Sequence, residues 1–277
     1  MTGVGLLQGV EARQSGATLK LLQITDTHLM QQRGGRLLNV DTDASLSAVV
    51  ALASQSLPAD ALLITGDIAG AGAGDAYYRL EEALSPLQAP SFWLPGNHDD
   101  GHACADELSW HFKRQVIFPH WQVLMLDSQV RGEVGGILAQ AELDALVTAV
   151  SESNASGRHL LVALHHPLWP LGCDWLDSQR VANADDVAAC LEMAENKVVV
   201  ISGHVHQESD AIHRGARYLT TPSTCIQFAK YSPDFKVDDS GPGYRWLDLQ
   251  ADGFVSTGVE RVTEVSFPVD LDSDGYL

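Results

Sequence analysis

Five short apolar runs in this sequence each end in residues able to hold a metal ion. LLQIT is followed by Asp26-Thr27-His28, and LLIT by Gly66-Asp67. FWLP leads into Gly96-Asn97-His98-Asp99, LLVAL into His165-His166-Pro167, and VVVIS into Gly203-His204-Val205-His206. Carboxylate and imidazole without thiolate suit iron, manganese or zinc in a catalytic setting. One His after a strand usually has a structural role, but five such endings at one sheet edge argue for a shared site. The candidate ligands exceed what one ion with open positions needs, so two ions sharing a bridging carboxylate fit better. Asn97 taken alone reads as a turn residue after Gly96.

Spacing adds a geometric expectation. Extended backbone sends residues i and i+2 to the same side, which predicts that Asp26 with His28, and His204 with His206, aim two donors each into one cavity. Gly66, Gly96 and Gly203 suit places where backbone approaches closely or takes positive φ. His165 and His166 compete. Pro167 pushes His166 toward an extended conformation, so their side chains point to opposite sides and only one reaches the metals.

These residues need a scaffold, and the pattern predicts one. Strands are expected at Leu19 to Thr25, Ala61 to Thr65, Ser91 to Leu94, Trp121 to Leu126, His159 to Leu164 and Val198 to Ser202. Helices are expected at Ala44 to Leu57, Ala76 to Leu84, Ala139 to Ser153 and Asp185 to Ala194, the first capped by Asp41 or Asp43. Such alternation indicates βαβ units with largely parallel strands, whose carboxyl ends are where open α/β sheets bind ligands. Past residue 207, Gly215 and Asp252-Gly253 mark tight turns of hairpins. Ser232 to Gly243 reads as a loop, and Asp270 to Leu277 as a mobile acidic tail. There is no internal repeat and no linker. A single domain over 1–277 is expected, with its core at about 18–264.

The chain has 277 residues, 45% of them hydrophobic, enough for one large core. Its formal net charge is −19, from 36 acidic and 17 basic side chains. Without Lys/Arg clusters, neither a nucleic acid nor a membrane surface is an expected partner. No CxxC pair occurs among the cysteines at 104, 173, 190 and 225, which read as reduced. MTGVGLLQGVEARQ lacks the basic start and apolar run of a signal peptide, so a cytoplasmic location is expected. The acidity poses a question: an anionic substrate would need a buried positive site.

The order DxH, GD, GNHD, H, GHxH resembles the signature of the calcineurin-like metallophosphoesterases. ITDTHL, WLPGNHD, LDSQV, GCDWLD, GHVHQE and TPSTCIQF are most similar to the class III cyclic nucleotide phosphodiesterases, closest to the bacterial 3′,5′-cyclic AMP enzymes. The likeness runs from about Leu21 to Gly253. It implies two mixed β-sheets flanked by helices in αββα layers, and two divalent ions, Fe2+ or Mn2+ first and Zn2+ next. Asp26, His28 and His206 would hold one ion, and Asn97, His165 and His204 the other, with Asp67 bridging. The ligand two residues before the proline selects His165 over His166.

The implied reaction is hydrolysis of 3′,5′-cyclic AMP to 5′-AMP by a metal-bridging hydroxide, with the small cyclic nucleotide touching His28, Asp67, Asn97, His98 and His206. The metal charges would answer the question posed by the acidity. His98 is the candidate general acid, and Asp99 either orients its ring or is a buried structural carboxylate. His102, Trp169, Trp175 and Phe228 could stack on adenine or simply pack. TPSTCIQF could wall the pocket, while Cys225 fits neither a nucleophile nor a ligand. Other phosphodiesters or phosphomonoesters are alternative substrates, and a non-catalytic metal-binding module is a further reading. The sequence leaves the oligomeric state open.

Overall fold

The computed structural model describes residues 10–12, 14–56, 58–70, 74–99 and 106–275. Two β-sheets lie face to face. In one, the strands Leu19–Ile24, Ala61–Thr65 and Ser91–Leu94 run parallel, and Gly243–Leu249 and Val255–Arg261 extend it antiparallel. In the other, Trp121–Met125, His159–Ala163, Val198–Ser202 and Ala216–Thr220 form a parallel centre. Gln115–Ile117 and Ser209–His213 flank that centre antiparallel, and Val10–Glu11 joins beyond Gln115–Ile117.

Alternation along the strands explains the layers. Leu19 and Leu21, Leu63, Phe92 and Leu94 point inward against Val123, Met125, Leu161, Val199 and Ile201 of the opposite sheet. Leu22, Ile24, Leu62, Ile64 and Trp93 point outward and are covered by Leu46, Val49, Val50, Tyr77 and Leu80. Those five lie on the helices Thr42–Ala53 and Ala76–Leu84. Leu160, Val162, Val198 and Val200 are covered in turn by Leu146 and Val150 of Gln140–Ser156 and by Val187 and Leu191 of Ala184–Leu191. Each such fully buried aliphatic side chain contributes roughly 1.5–3 kcal/mol. The result is the expected αββα stack.

Asp41 caps the first helix by accepting from the Ala44 N–H at 3.0 Å. Asp43 does not cap. Its two carboxylate oxygens accept from Nη1 of the buried Arg79 guanidinium at 2.7 Å, because that charge needs a partner more than a helix end does. The turn at Arg214-Gly215 joins Ser209–His213 to Ala216–Thr220, and Asp252-Gly253 lies between Gly243–Leu249 and Val255–Arg261, so both hairpins form as expected. Ser232 to Gly243 is not wholly a loop, since Val237–Asp238 pairs with Gln227–Phe228. Two residues per strand are too few to show a period of two.

Candidate metal centre

Every candidate ligand leaves a strand at its carboxyl end, and all of these ends meet at one edge of the double sheet. There the His28 and His206 Nε2 atoms stand 3.2 Å apart, and Asp26 Oδ1 lies 3.4 Å from His206 Nε2. Beside them, Asn97 Oδ1 lies 3.1 Å from His165 Nε2 and 3.0 Å from His204 Nδ1. Asp67 Oδ2 stands between the groups, 3.2 Å from His165 Nε2 and 3.8 Å from His28 Nε2. The donor atoms of Asp26, His28 and His206 converge closely enough to hold one ion, as do those of Asp26, Asp67 and His165. Carboxylate oxygens and imidazole lone pairs gathered this tightly fit divalent cations.

The electrostatics favour the same occupant. Burial pushes the Asp26 carboxyl up, but His206 and His165 outweigh it and hold it below the usual range. Burial likewise opposes Asp67, which the facing His165 keeps well below that range. Burial drives His28 down to about 3 and holds His204 well below its ordinary value, so both are neutral, the form that binds metal. His165 also feels burial, yet the charges of Asp67 and Asp26 lift it to about 9. Its extra proton stands where a cation beside Asp67 would act instead.

The expected extended geometry at DxH and HxH is not what brings these residues together. Asp26, His28, Asp67, His204 and His206 all take left-handed backbone, with φ of 54, 44, 50, 67 and 49°. Such conformations cost roughly 1–3 kcal/mol each in residues with a Cβ. They recur here because each strand must turn sharply at its end to present successive side chains to one point. Hydrogen bonds hold the turns: Asp26 and His28 N–H donate to Gly66 and Asp67 carbonyls at 3.0 and 2.9 Å, and His204 N–H donates to Asp26 Oδ1 at 3.1 Å. Gly96 and Gly203 permit this crowding by close approach. A Cβ on Gly96 would strike the Asp67 carboxylate, and one on Gly203 would strike Thr25 and Asp26.

His165 Nδ1 donates to the Thr65 carbonyl at 2.8 Å, leaving Nε2 for the site. His166 stands close enough to His165 and His204 to share an ion with them, but both its nitrogens are engaged. Its Nδ1 meets Ser128 Oγ at 2.8 Å, and its Nε2 donates to the Val134 carbonyl at 3.0 Å. Alternation alone therefore does not separate the two rings, which stand 4.9 Å apart; the hydrogen bonds of His166 do. His98 is half-buried at the mouth, its N–H donating to Asp67 Oδ1 at 2.8 Å and its ring 5.1 Å from that of His28. Asp99 is buried and acts as a staple. Its carboxylate accepts from Gly96, Ile68 and Ala69 N–H and from Tyr77 Oη–H, tying the two ligand-bearing turns and one helix together. Those four bonds favour the structural alternative over orientation of His98.

The aromatic candidates separate. Phe228 stacks on the His206 ring at 4.3 Å and backs that ligand, while Trp175 packs edge-on against Phe228 and Phe235. Trp169 stacks on His213, near the hairpin turn. His102 lies outside the described residues. Burial pushes the Cys225 thiol up to about 12, in keeping with neither nucleophile nor ligand. Sequence reasoning missed Gln129, whose amide donates to the Gly96 and Asp99 carbonyls at 2.6 Å, and Gln179, whose Oε1 lies 3.1 Å from His204 Nε2. Gln129 stood inside the quoted LDSQV stretch. Gln179 carried no signal.

A family profile described as calcineurin-like phosphoesterase matches residues 19–208. The 3',5'-cyclic adenosine monophosphate phosphodiesterase CpdA of Pseudomonas aeruginosa is 40% identical over 263 residues, covering 94% of this chain and 96% of that protein. The protein of the same name from Escherichia coli K12 is 39% identical over 265 residues, with the same coverage of both. Among solved structures, a dimetal phosphatase from Danio rerio superposes with a TM-score of 0.61 at 14% identity, covering 90% of this chain and all of that one. At that identity the likeness speaks for the fold.

Proposed function

Because the chain belongs to the calcineurin-like phosphoesterase family, we propose that it hydrolyses 3′,5′-cyclic AMP to 5′-AMP at the paired clusters around Asp67. The observation carrying this reading is the convergence of all seven expected ligands on one edge, in a chain 40% identical to a cyclic AMP phosphodiesterase. Asp26, His28 and His206 would hold one divalent ion and Asn97, His165 and His204 the other, with Asp67 shared. Bound there, the ions supply positive charge for the phosphate and lower the pKa of water. Fe2+ or Mn2+ suits these oxygen and imidazole donors best, with Zn2+ next. Free thiols at Cys173, Cys190 and Cys225 support a cytoplasmic setting.

The chain's own residues divide the remaining work. Water adds its oxygen to phosphorus as the P–O3′ bond breaks, and O3′ must end with a proton. His98, half-buried at the mouth beside His28, is placed to donate that proton or to stabilise the developing charge. Its backbone is anchored on Asp67, so the ring and the shared carboxylate keep a constant relation. Asp99 and Gln129 hold the GNHD turn from opposite sides, which keeps Asn97 and His98 in register.

The test is a parallel assay of metal-loaded protein on 3′,5′-cyclic AMP, a 2′,3′-cyclic nucleotide, a glycerophosphodiester and a phosphomonoester. Cyclic AMP should be turned over to 5′-AMP. A main product of 3′-AMP would overturn the bond assignment, and fast hydrolysis of another substrate without cyclic AMP turnover would overturn the substrate.

A further inference from the structure

Three of the histidines expose the tautomer each must hold. A neutral imidazole has one N–H and one lone pair, and the partner of the first decides where the second points. His165 Nδ1 faces the Thr65 carbonyl and His206 Nδ1 the Ile226 carbonyl, both at 2.8 Å. A backbone carbonyl can only accept, so each of these rings must carry its proton on Nδ1 and offer Nε2 to the site. His204 is built the other way round. It offers Nδ1, 3.0 Å from Asn97 Oδ1, and its Nε2 meets a side chain, the Gln179 amide oxygen at 3.1 Å.

We infer that Gln179 is a positioning residue for His204: by accepting from Nε2–H it keeps the Nδ1 lone pair directed at the ion held with Asn97 and His165. This rests on the metal assignment proposed above. The amide stands on a segment whose backbone is tied on both sides. Gln179 N–H donates to Leu176 O at 2.9 Å, Val181 N–H to Pro167 O at 3.1 Å, and Ala182 N–H to Gly136 O at 2.8 Å. The anchored segment thus delivers one acceptor to one ring nitrogen. His166 closes the remaining side, its ring 4.7 Å from that of His204, and is itself committed to Ser128 and Val134. An amide is the exchangeable element here, since replacing it alters the ring's proton without touching any ligand.

Outer partners of ligating histidines typically change metal affinity by about 10- to 100-fold when removed. The experiment is zinc titration of metal-free protein by calorimetry, with nitrogen-15 NMR of the histidine rings, for the native chain, Gln179→Glu and Gln179→Leu. Gln179→Glu keeps an acceptor and should retain two zinc ions per chain and a His204 protonated on Nε2. Gln179→Leu should weaken one of the two zinc ions about 10- to 100-fold, leave the other unchanged, and shift His204 toward the Nδ1–H tautomer. Native zinc affinity at both sites in folded Gln179→Leu would overturn the inference, as would equal weakening in Gln179→Glu. If Gln179→Leu does not fold, Gln179→Met, which also lacks an amide oxygen, replaces it with the same expected loss of zinc affinity and the same His204 ring shift. None of these readouts involves cyclic AMP, so a wrong substrate assignment would leave them unmoved.

Discussion

The two halves of the centre are built by different means. Around Asp26, all three donors sit on left-handed backbone, and a carboxylate is present besides the shared Asp67. Around Asn97, the donors besides Asp67 are an amide and two imidazoles, and of these three only His204 takes positive φ. The first half stores strain in turns zipped together by main-chain hydrogen bonds. The second adds side-chain amides: Gln179 faces the His204 ring and Gln129 ties the turn that carries Asn97, while the Thr65 carbonyl aims His165. One half is thus pre-set by the fold and strong in charge, and the other is tuned by exchangeable groups and weak in charge.

Metal content tests that division with the largest effect. Asp26→Ala removes a charged donor and should empty the first half, whereas Asn97→Ala and His165→Ala should each strip only the second. His166→Ala should keep both ions, since its nitrogens already serve Ser128 and Val134. Elemental analysis of the four variants checks this, and equal loss in Asp26→Ala and His166→Ala would break the comparison. His98 belongs to the mouth and to neither half. His98→Ala should lower turnover about 10²- to 10⁴-fold while retaining two ions per chain, and loss of an ion would move it into the first half.

The smallest effect concerns Asp127, a half-buried carboxylate outside both groups. Burial lifts it from the ordinary 3.8 to about 6, against the pull of Arg114 and of Gln129 N–H at 2.8 Å. A folded carboxyl that holds its proton more tightly than the unfolded one costs stability once pH passes its raised pKa. The cost is absent below about pH 4, grows through about pH 6, and then stays on the order of 3 kcal/mol. In metal-free protein, Asp127→Asn should therefore raise Tm at pH 8 and lose that advantage at pH 4. An equal gain at both values would separate it from titration.

The layers and the meeting of the candidate ligands were legible because strand and helix periods are long enough to read, and because the metal-capable residues follow the strands directly. Trp121 and His159 begin adjacent strands as expected, and the hairpins turn at Gly215 and beside Gly253. What stayed hidden was set by tertiary contact. No composition marks Asp26 or Asp67 for left-handed backbone, since the crowding beside them comes from Gly203 and Gly96. Asp43 looked like a cap until Arg79, distant in sequence, claimed it. Gln179 is likewise far in sequence from the ring it serves, and no local pattern connects them.

The chain itself fixes the Asp26 carboxylate: Thr25 Oγ–H donates to Oδ2 at 2.7 Å and His204 N–H reaches both oxygens at 3.1 Å. A carboxylate so tethered does not swing to meet its guest. An ion entering the proposed site would shed its own hydration shell while this carboxylate contributes little motion, which would put the exchange barrier on the water side of the encounter. Ions that surrender water quickly would then load quickly.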